Sequence, residues 1–173
     1  MLSGHFQGRV LSMLSKIINP KHILEIGTYT GYATLCLAEG LQENGIIYTI
    51  DNNEELYDFQ KKYFENSQYK SQIKQHLGNA LDIIETLNTT YDLVFIDADK
   101  ENYINYYNLI VPKMNKNGVI LTDNVLWSGK VVDPQPDKDT RAILEFNRKV
   151  QADPRVENLL LSLRDGIMMM YKK

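Results

Sequence analysis

Apolar residues recur along the chain in short runs of strand character, at residues 22–26 (HILEI), 46–50 (IIYTI), 72–77 (QIKQHL), 92–96 (DLVFI) and 118–122 (GVILT). Stretches long enough for a helix lie between them, so the predicted order is a repeated β-α-β alternation. Crossovers of this length join parallel strands. Repeated right-handed crossovers cover both faces of one sheet with helices, which predicts an α/β, doubly wound, mainly parallel sheet. The tail departs from this pattern: "VENLLLSL" and "GIMMMYKK" flank Arg164-Asp165-Gly166. Asp-Gly is a strong hairpin signal, so the last pair of strands is predicted to be antiparallel. Residues 124–139, "NVLWSGKVVDPQPDKD", contain two prolines and no periodicity. They read as a long loop opening directly behind the fifth strand, and long loops in compact domains are often functional.

Composition narrows this picture. A chain of 173 residues with no linker or repeat is expected to form one domain over residues 1–173. With 43% hydrophobic and 24% charged residues it has the balance of a soluble globular protein. No apolar stretch approaches the roughly 20 residues a membrane span needs, and no basic-plus-apolar leader opens the chain, so no membrane association and a cytoplasmic location are expected. The lone Cys36 excludes an internal disulfide and, with no second Cys or His at ligand spacing, a thiolate metal site. A net charge of -3 gives no general attraction for a phosphate backbone, which disfavours nucleic acid as a partner.

Candidate chemistry lies at the strand ends. "ILEIGTYTGYATLCLA" reads as strand, turn and helix, with Gly27 and Gly31 freeing the backbone to approach a ligand at a helix N-terminus. The turn is G-x-x-x-G, without the third glycine of dinucleotide binders or the Lys-Ser/Thr of a phosphate loop. Asp51 closes the second strand, where an acid in a doubly wound fold can accept from both ribose hydroxyls. Asn79 and Ala80 follow the third strand, within reach of an adenine ring if the strands are neighbours; Asn79 can equally be a helix cap. The fourth strand ends in "FIDADK" and the fifth in Asp123-Asn124. Asp97, Asp123 and Asn124 offer three hard oxygen donors, suited to Mg²⁺, Mn²⁺ or Ca²⁺ with positions left for water and substrate. Lys100 could face the same pocket as a base.

These motifs, with "YTIDNNEE", "LGNAL" and "LTDNVLWSGKV", together resemble the cation-dependent O-methyltransferases similar to the catechol and caffeoyl-CoA enzymes, over nearly the whole chain. The resemblance implies a Rossmann-like seven-stranded sheet with an antiparallel last strand, and methyl transfer from S-adenosylmethionine to a hydroxyl of a small catechol-like aromatic. It assigns Glu25, Gly27 and Tyr29 to the methionine part of the cofactor, Asp51 to the ribose and Ala80 to the adenine, with Met1, Ser3, Gly31, Ala33 and Asn79 at further cofactor positions. Asp97, Asp123 and Asn124 match its metal ligands, with Asp97 also near the cofactor's amino group, Lys100 its general base, and Asp99 and Trp127 its substrate side. Ala33 stands where a Ser is common, and Asn79 where an Asp is common. The family's further N-terminal helices, which help build its substrate pocket and its frequent homodimer, are absent from the chain. Two other functions are compatible with the same residues: methylation of a hydroxylated uridine in transfer RNA, and a non-catalytic cofactor-binding module.

Overall fold

The structure is a computed structural model that describes residues 4–173. The five apolar runs become β1 (His22–Ile26), β2 (Ile46–Asp51), β3 (Ile73–Leu77), β4 (Tyr91–Ile96) and β5 (Met114–Thr122), and the tail supplies β6 (Val156–Leu161) and β7 (Ile167–Lys172). They form one seven-stranded sheet in the order β3-β2-β1-β4-β5-β7-β6. The pairings among β1 to β5 are parallel, whereas β7 runs antiparallel to both β5 and β6, as the Asp-Gly signal predicts. The chain builds outward from β1 to β3 and then returns to the other side of β1 with β4. That reversal is the topological switch point, where an open α/β sheet leaves a crevice beyond its carboxyl ends.

Successive strand residues point to opposite faces, and the two faces are covered by different helices. Ile23, Leu93, Phe95, Val119 and Leu121 pack with Leu11 of α1 (Gly4–Ile18), Leu37 of α2 (Tyr32–Ala38) and Phe64 of α3 (Glu54–Glu65). Leu24, Ile26, Val94, Ile96 and Ile120 pack on the other face with Ile84 of α4 (Ala80–Thr86), Tyr107 of α5 (Tyr103–Ile110) and Phe146 of α6 (Lys138–Ala152). The Phe146 ring meets Tyr103 and Tyr107 edge-on, with centroids 5.5 and 6.0 Å apart. Burial on both faces is why β1 and β4 read as nearly continuous apolar runs rather than as alternating ones.

Apart from one-residue shifts at the ends of β2, β3 and β4, two boundaries differ from the sequence reading. β5 begins at Met114 instead of residue 118, because Asn115, Lys116 and Asn117 carry no apolar alternation and the β4–β5 register shifts between Tyr91 and Leu93. The segment read as a loop contains a 3₁₀ turn at Trp127–Val132, interrupted at Ser128 and Gly129, and its last two residues already belong to α6. Asp137 caps that helix by accepting from Thr140 N at 2.8 Å. Among the described residues no helix is long and apolar enough to cross a membrane.

Candidate active site

Four strands stop at one level because the ladder continues one residue past each of them. Gly27 N donates to Ile50 O, Gly78 N to Asp51 O, Asp97 N to Ile26 O and Asp123 N to Ile96 O, all at 2.9 Å. The residues that follow β1, β3 and β4 therefore line one cavity of about 610 Å³, which Asn124 reaches just beyond the buried Asp123 that follows β5. Gly27 makes the convergence sterically feasible: at φ +95° it turns against β4, and a Cβ there would stand 2.0 Å from the Asp97 carbonyl oxygen.

Asp51 faces the β1–α2 turn. Its Oδ2 accepts from Tyr29 N at 2.6 Å and its Oδ1 from Asn53 N at 2.9 Å. Asn53, not Asp51, is the cap of α3. Asn79 is a cap, its Oδ1 accepting from Leu81 N at 2.9 Å, which leaves its amide N–H groups as the outward donors. Asn79 and Ala80 also line the cavity, together with Gly27, Tyr29 and Asp51. Gly31 at φ +78° precedes α2 and Ala33 is packed in the core, so neither lines it. Glu25 lies fully buried beneath the turn. Its Oε2 accepts from Thr34 and, at 2.6 Å, from Thr49, while Oε1 has no partner among the described residues. Burial, only partly offset by those two donors, pushes its carboxyl up to about 8. The positions Met1 and Ser3 lie outside the described residues.

On the other side of the cavity, Lys100 sits between two of the oxygen donors. Its Nζ is 3.3 Å from Asp97 Oδ1 and 3.1 Å from Asn124 Oδ1, and it donates to the Tyr103 hydroxyl at 2.5 Å. The Tyr103 O–H in turn donates to the Asp123 carbonyl at 3.0 Å. Burial and the nearby charge of Asp97 hold that phenol well above its usual range, so it stays a neutral donor. The Trp127 ring centre is 5.6 Å from Lys100 Nζ, and its buried indole N–H has no partner among the described residues. Asp99 accepts from the Tyr106 hydroxyl at 2.5 Å and from Asn102.

Asp123 is 4% exposed. Its Oδ1 accepts from Asn124 N at 2.8 Å and its Oδ2 from Gln7 Nε2 at 2.5 Å. Burial, and then the nearby charge of Asp97, raise its carboxyl above the ordinary aspartate range. Among the described residues no group of three His, Cys, Asp or Glu could hold a metal. The candidate set is two carboxylates and the amide oxygen of Asn124, whose backbone is held at φ +60°. All three are hard oxygen donors, and a positive group, the Lys100 amine, already bridges two of them. The donor set therefore fits a small divalent cation.

Sequence reasoning missed three residues here. Gln7 is a polar residue on the buried stripe of α1, four before Leu11, and that mismatch was its signal. Tyr103 and Tyr106 follow Lys100 at helical spacing, a pattern that buried aromatics of a helix share, and both are buried on α5.

Comparison with known proteins gives this geometry its relatives. The O-methyltransferase family model matches residues 1–173. "Caffeoyl-CoA O-methyltransferase 5" of Nicotiana tabacum is 38% identical over 181 residues, spanning 96% of this chain and 75% of that one. "Caffeoyl-CoA O-methyltransferase 1" of Arabidopsis thaliana is 39% identical over 96% of this chain and 70% of its own length. The crystal structure of an O-methyltransferase from Bacillus cereus in complex with SAH superposes with a TM-score of 0.92 at 30% identity, covering 98% of this chain and 82% of that one. An O-methyltransferase from Streptomyces achromogenes, involved in tomaymycin synthesis and solved in complex with SAM, gives 0.92 at 26% identity over 98% of this chain and 81% of that one. With a family match along its full length and relatives at this level of identity, the chain belongs to the O-methyltransferase family.

Proposed function

We propose that this chain transfers a methyl group from S-adenosylmethionine to one hydroxyl of a small catechol-like acceptor, aided by a divalent cation. One observation carries the reading. The carboxylate of Asp51, suited to a ribose, and the oxygen donors Asp97 and Asn124 line one strand-end cavity, with Lys100 between those two and the buried Asp123 next to Asn124 in the chain. Relatives bearing caffeoyl-CoA O-methyltransferase names and neighbours solved with SAM or SAH support the cofactor and the acceptor class.

Asp51 would hold the ribose hydroxyls in place of one of its present backbone donors, and Gly27 admits the methionine portion against bare backbone. The unpartnered Oε1 of buried Glu25 would accept from the cofactor's ammonium once that positive charge draws the proton off the carboxyl. Asn79 and Ala80 border the region left for the adenine. Asp97, Asp123 and Asn124 would hold the cation, which when bound supplies Lewis acidity that favours ionised substrate oxygen. Trp127 flanks the acceptor side with an indole face and a free N–H, and Asp99, braced by Tyr106, lines the same side. Lys100, as the neutral amine that a cation at the same oxygens would favour, would take the proton of the reacting hydroxyl. Alignment of nucleophile, methyl carbon and sulfur is then a matter of positioning.

The test is metal dependence. Chelation should abolish turnover of catechol-type acceptors, Mg²⁺ or Mn²⁺ should restore it, and Asp123→Ala should prevent restoration while the far-ultraviolet dichroism stays native. Full turnover in chelator removes the cation from the proposal.

A further inference from the structure

Gln7 and Asp123 are 116 residues apart in sequence, both nearly inaccessible at 2% and 4%, and joined by a 2.5 Å hydrogen bond. Behind Gln7, Arg164 Nη1 donates to Gln7 Oε1 at 3.0 Å. The direction of this chain is fixed by chemistry. A guanidinium can only donate and an ionised carboxylate can only accept, so the amide between them must turn its oxygen to Arg164 and its N–H to Asp123. Asp123 Oδ1 is fixed independently by the Asn124 backbone N–H at 2.8 Å. The carboxylate therefore has both oxygens tethered, one from its own strand end and one from helix α1, and its plane cannot rotate without breaking one tether.

We infer that Gln7, oriented by Arg164, is a positioning residue that locks the Asp123 carboxylate for the divalent cation, an inference that rests on the cation reading above. A ligand carboxylate left free to rotate must be ordered when a cation binds. One already held by hydrogen bonds to its remaining lone pairs needs no such ordering, and losing supports of this kind commonly costs about tenfold to a hundredfold in metal affinity. The amide suits this place better than a charged group. It delivers an N–H to Asp123 without bringing a positive charge beside the cation, and it keeps the guanidinium one residue away from the ligand. The inference also gives the α1 helix and the turn between β6 and β7 a part in the site, since Gln7 belongs to one and Arg164 to the other.

The experiment titrates Mn²⁺ alone into the full chain, reading free Mn²⁺ by electron paramagnetic resonance, so that no turnover is involved. Gln7→Met keeps the length and burial of the side chain but removes the donor, and it should raise the Mn²⁺ Kd at least tenfold. Arg164→Met leaves the donor in place but unaimed, and should raise the Kd by a smaller factor. It serves also as the second arm should Gln7→Met fail to fold, as judged by thermal melting. If the wild type binds Mn²⁺ and both folded variants bind it equally well, Gln7 is only a tie between helix and sheet and the inference is overturned. If the wild type binds no Mn²⁺, with or without S-adenosylhomocysteine, the cation reading itself fails and the inference fails with it.

Discussion

Glu25 makes the stability of this fold depend on pH in an unusual direction. Its carboxyl is fully buried and is raised from 4.5 to about 8, chiefly by burial and against the pull of Thr34 and Thr49. Between those values the folded protein keeps a proton that the unfolded chain has released. Stability from this group is thus fully present below pH 4.5 and is lost as the pH rises through about 8. The slope approaches 1.4 kcal/mol per pH unit, so between about pH 5.5 and 7.5 the loss should be about 3 kcal/mol. Glu25→Gln keeps the shape and removes the titration. Urea unfolding of both proteins at three pH values isolates the effect, because contributions common to both, such as the half-buried His76, cancel in the difference. The wild type should lose about 3 kcal/mol relative to the variant over this window. Parallel stability profiles would mean that Glu25 is ionised in the fold and the reasoning is wrong.

Three further outcomes are expected. Asp51→Ala should weaken S-adenosylhomocysteine binding by about 2–3 kcal/mol in calorimetry, by analogy with hydrogen bonds to charged groups; an unchanged Kd would show that Asp51 only braces Tyr29 and Asn53. Gly27→Ala places a Cβ 2.0 Å from the Asp97 carbonyl at a positive φ, and should cost about 3 kcal/mol or more in chemical denaturation. A loss below about 1 kcal/mol would mean the turn relaxes freely. Lys100→Met should lower kcat by about 10²–10⁴-fold while cofactor affinity is nearly unchanged, and a kcat within about threefold of wild type would make Lys100 a structural partner of Asp97 only.

What could be read from the sequence was set by which physical signals are local. Strands buried on both faces announce themselves as apolar runs, so β1, β2 and β4 stood out, and Asp-Gly marked the antiparallel turn. The acids at strand ends were legible because parallel topology sends every carboxyl end to one side of the sheet, and the structure places Asp51, Asp97 and Asn124 around one cavity there. The start of β5 was hidden since Asn115, Lys116 and Asn117 pair through backbone without apolar alternation. The 3₁₀ turn at Trp127 was hidden because its left-handed residues, Trp127 and Ser128, are not types that announce a positive φ. The role of Gln7 was beyond sequence reasoning for another reason, although its place on the buried stripe of α1 was a local signal. Its partners, Asp123 and Arg164, lie 116 and 157 residues away, and nothing local tells a buried glutamine which carboxylate it will meet.

The position of β7 has a consequence for how the protein is made. β6 leaves the ribosome before β7, yet among the described residues β7 is its only neighbour in the sheet, and β7 also completes the pairing of β5. Until residues 167–172 emerge, β5 therefore exposes an unpaired row of backbone donors and acceptors beside a detached leucine-rich segment, Leu159 to Leu161. Such an edge recruits other strands. The nascent chain passes through an interval in which its sheet is open on that side and most exposed to self-association, and one six-residue strand ends that interval by closing two ladders at once.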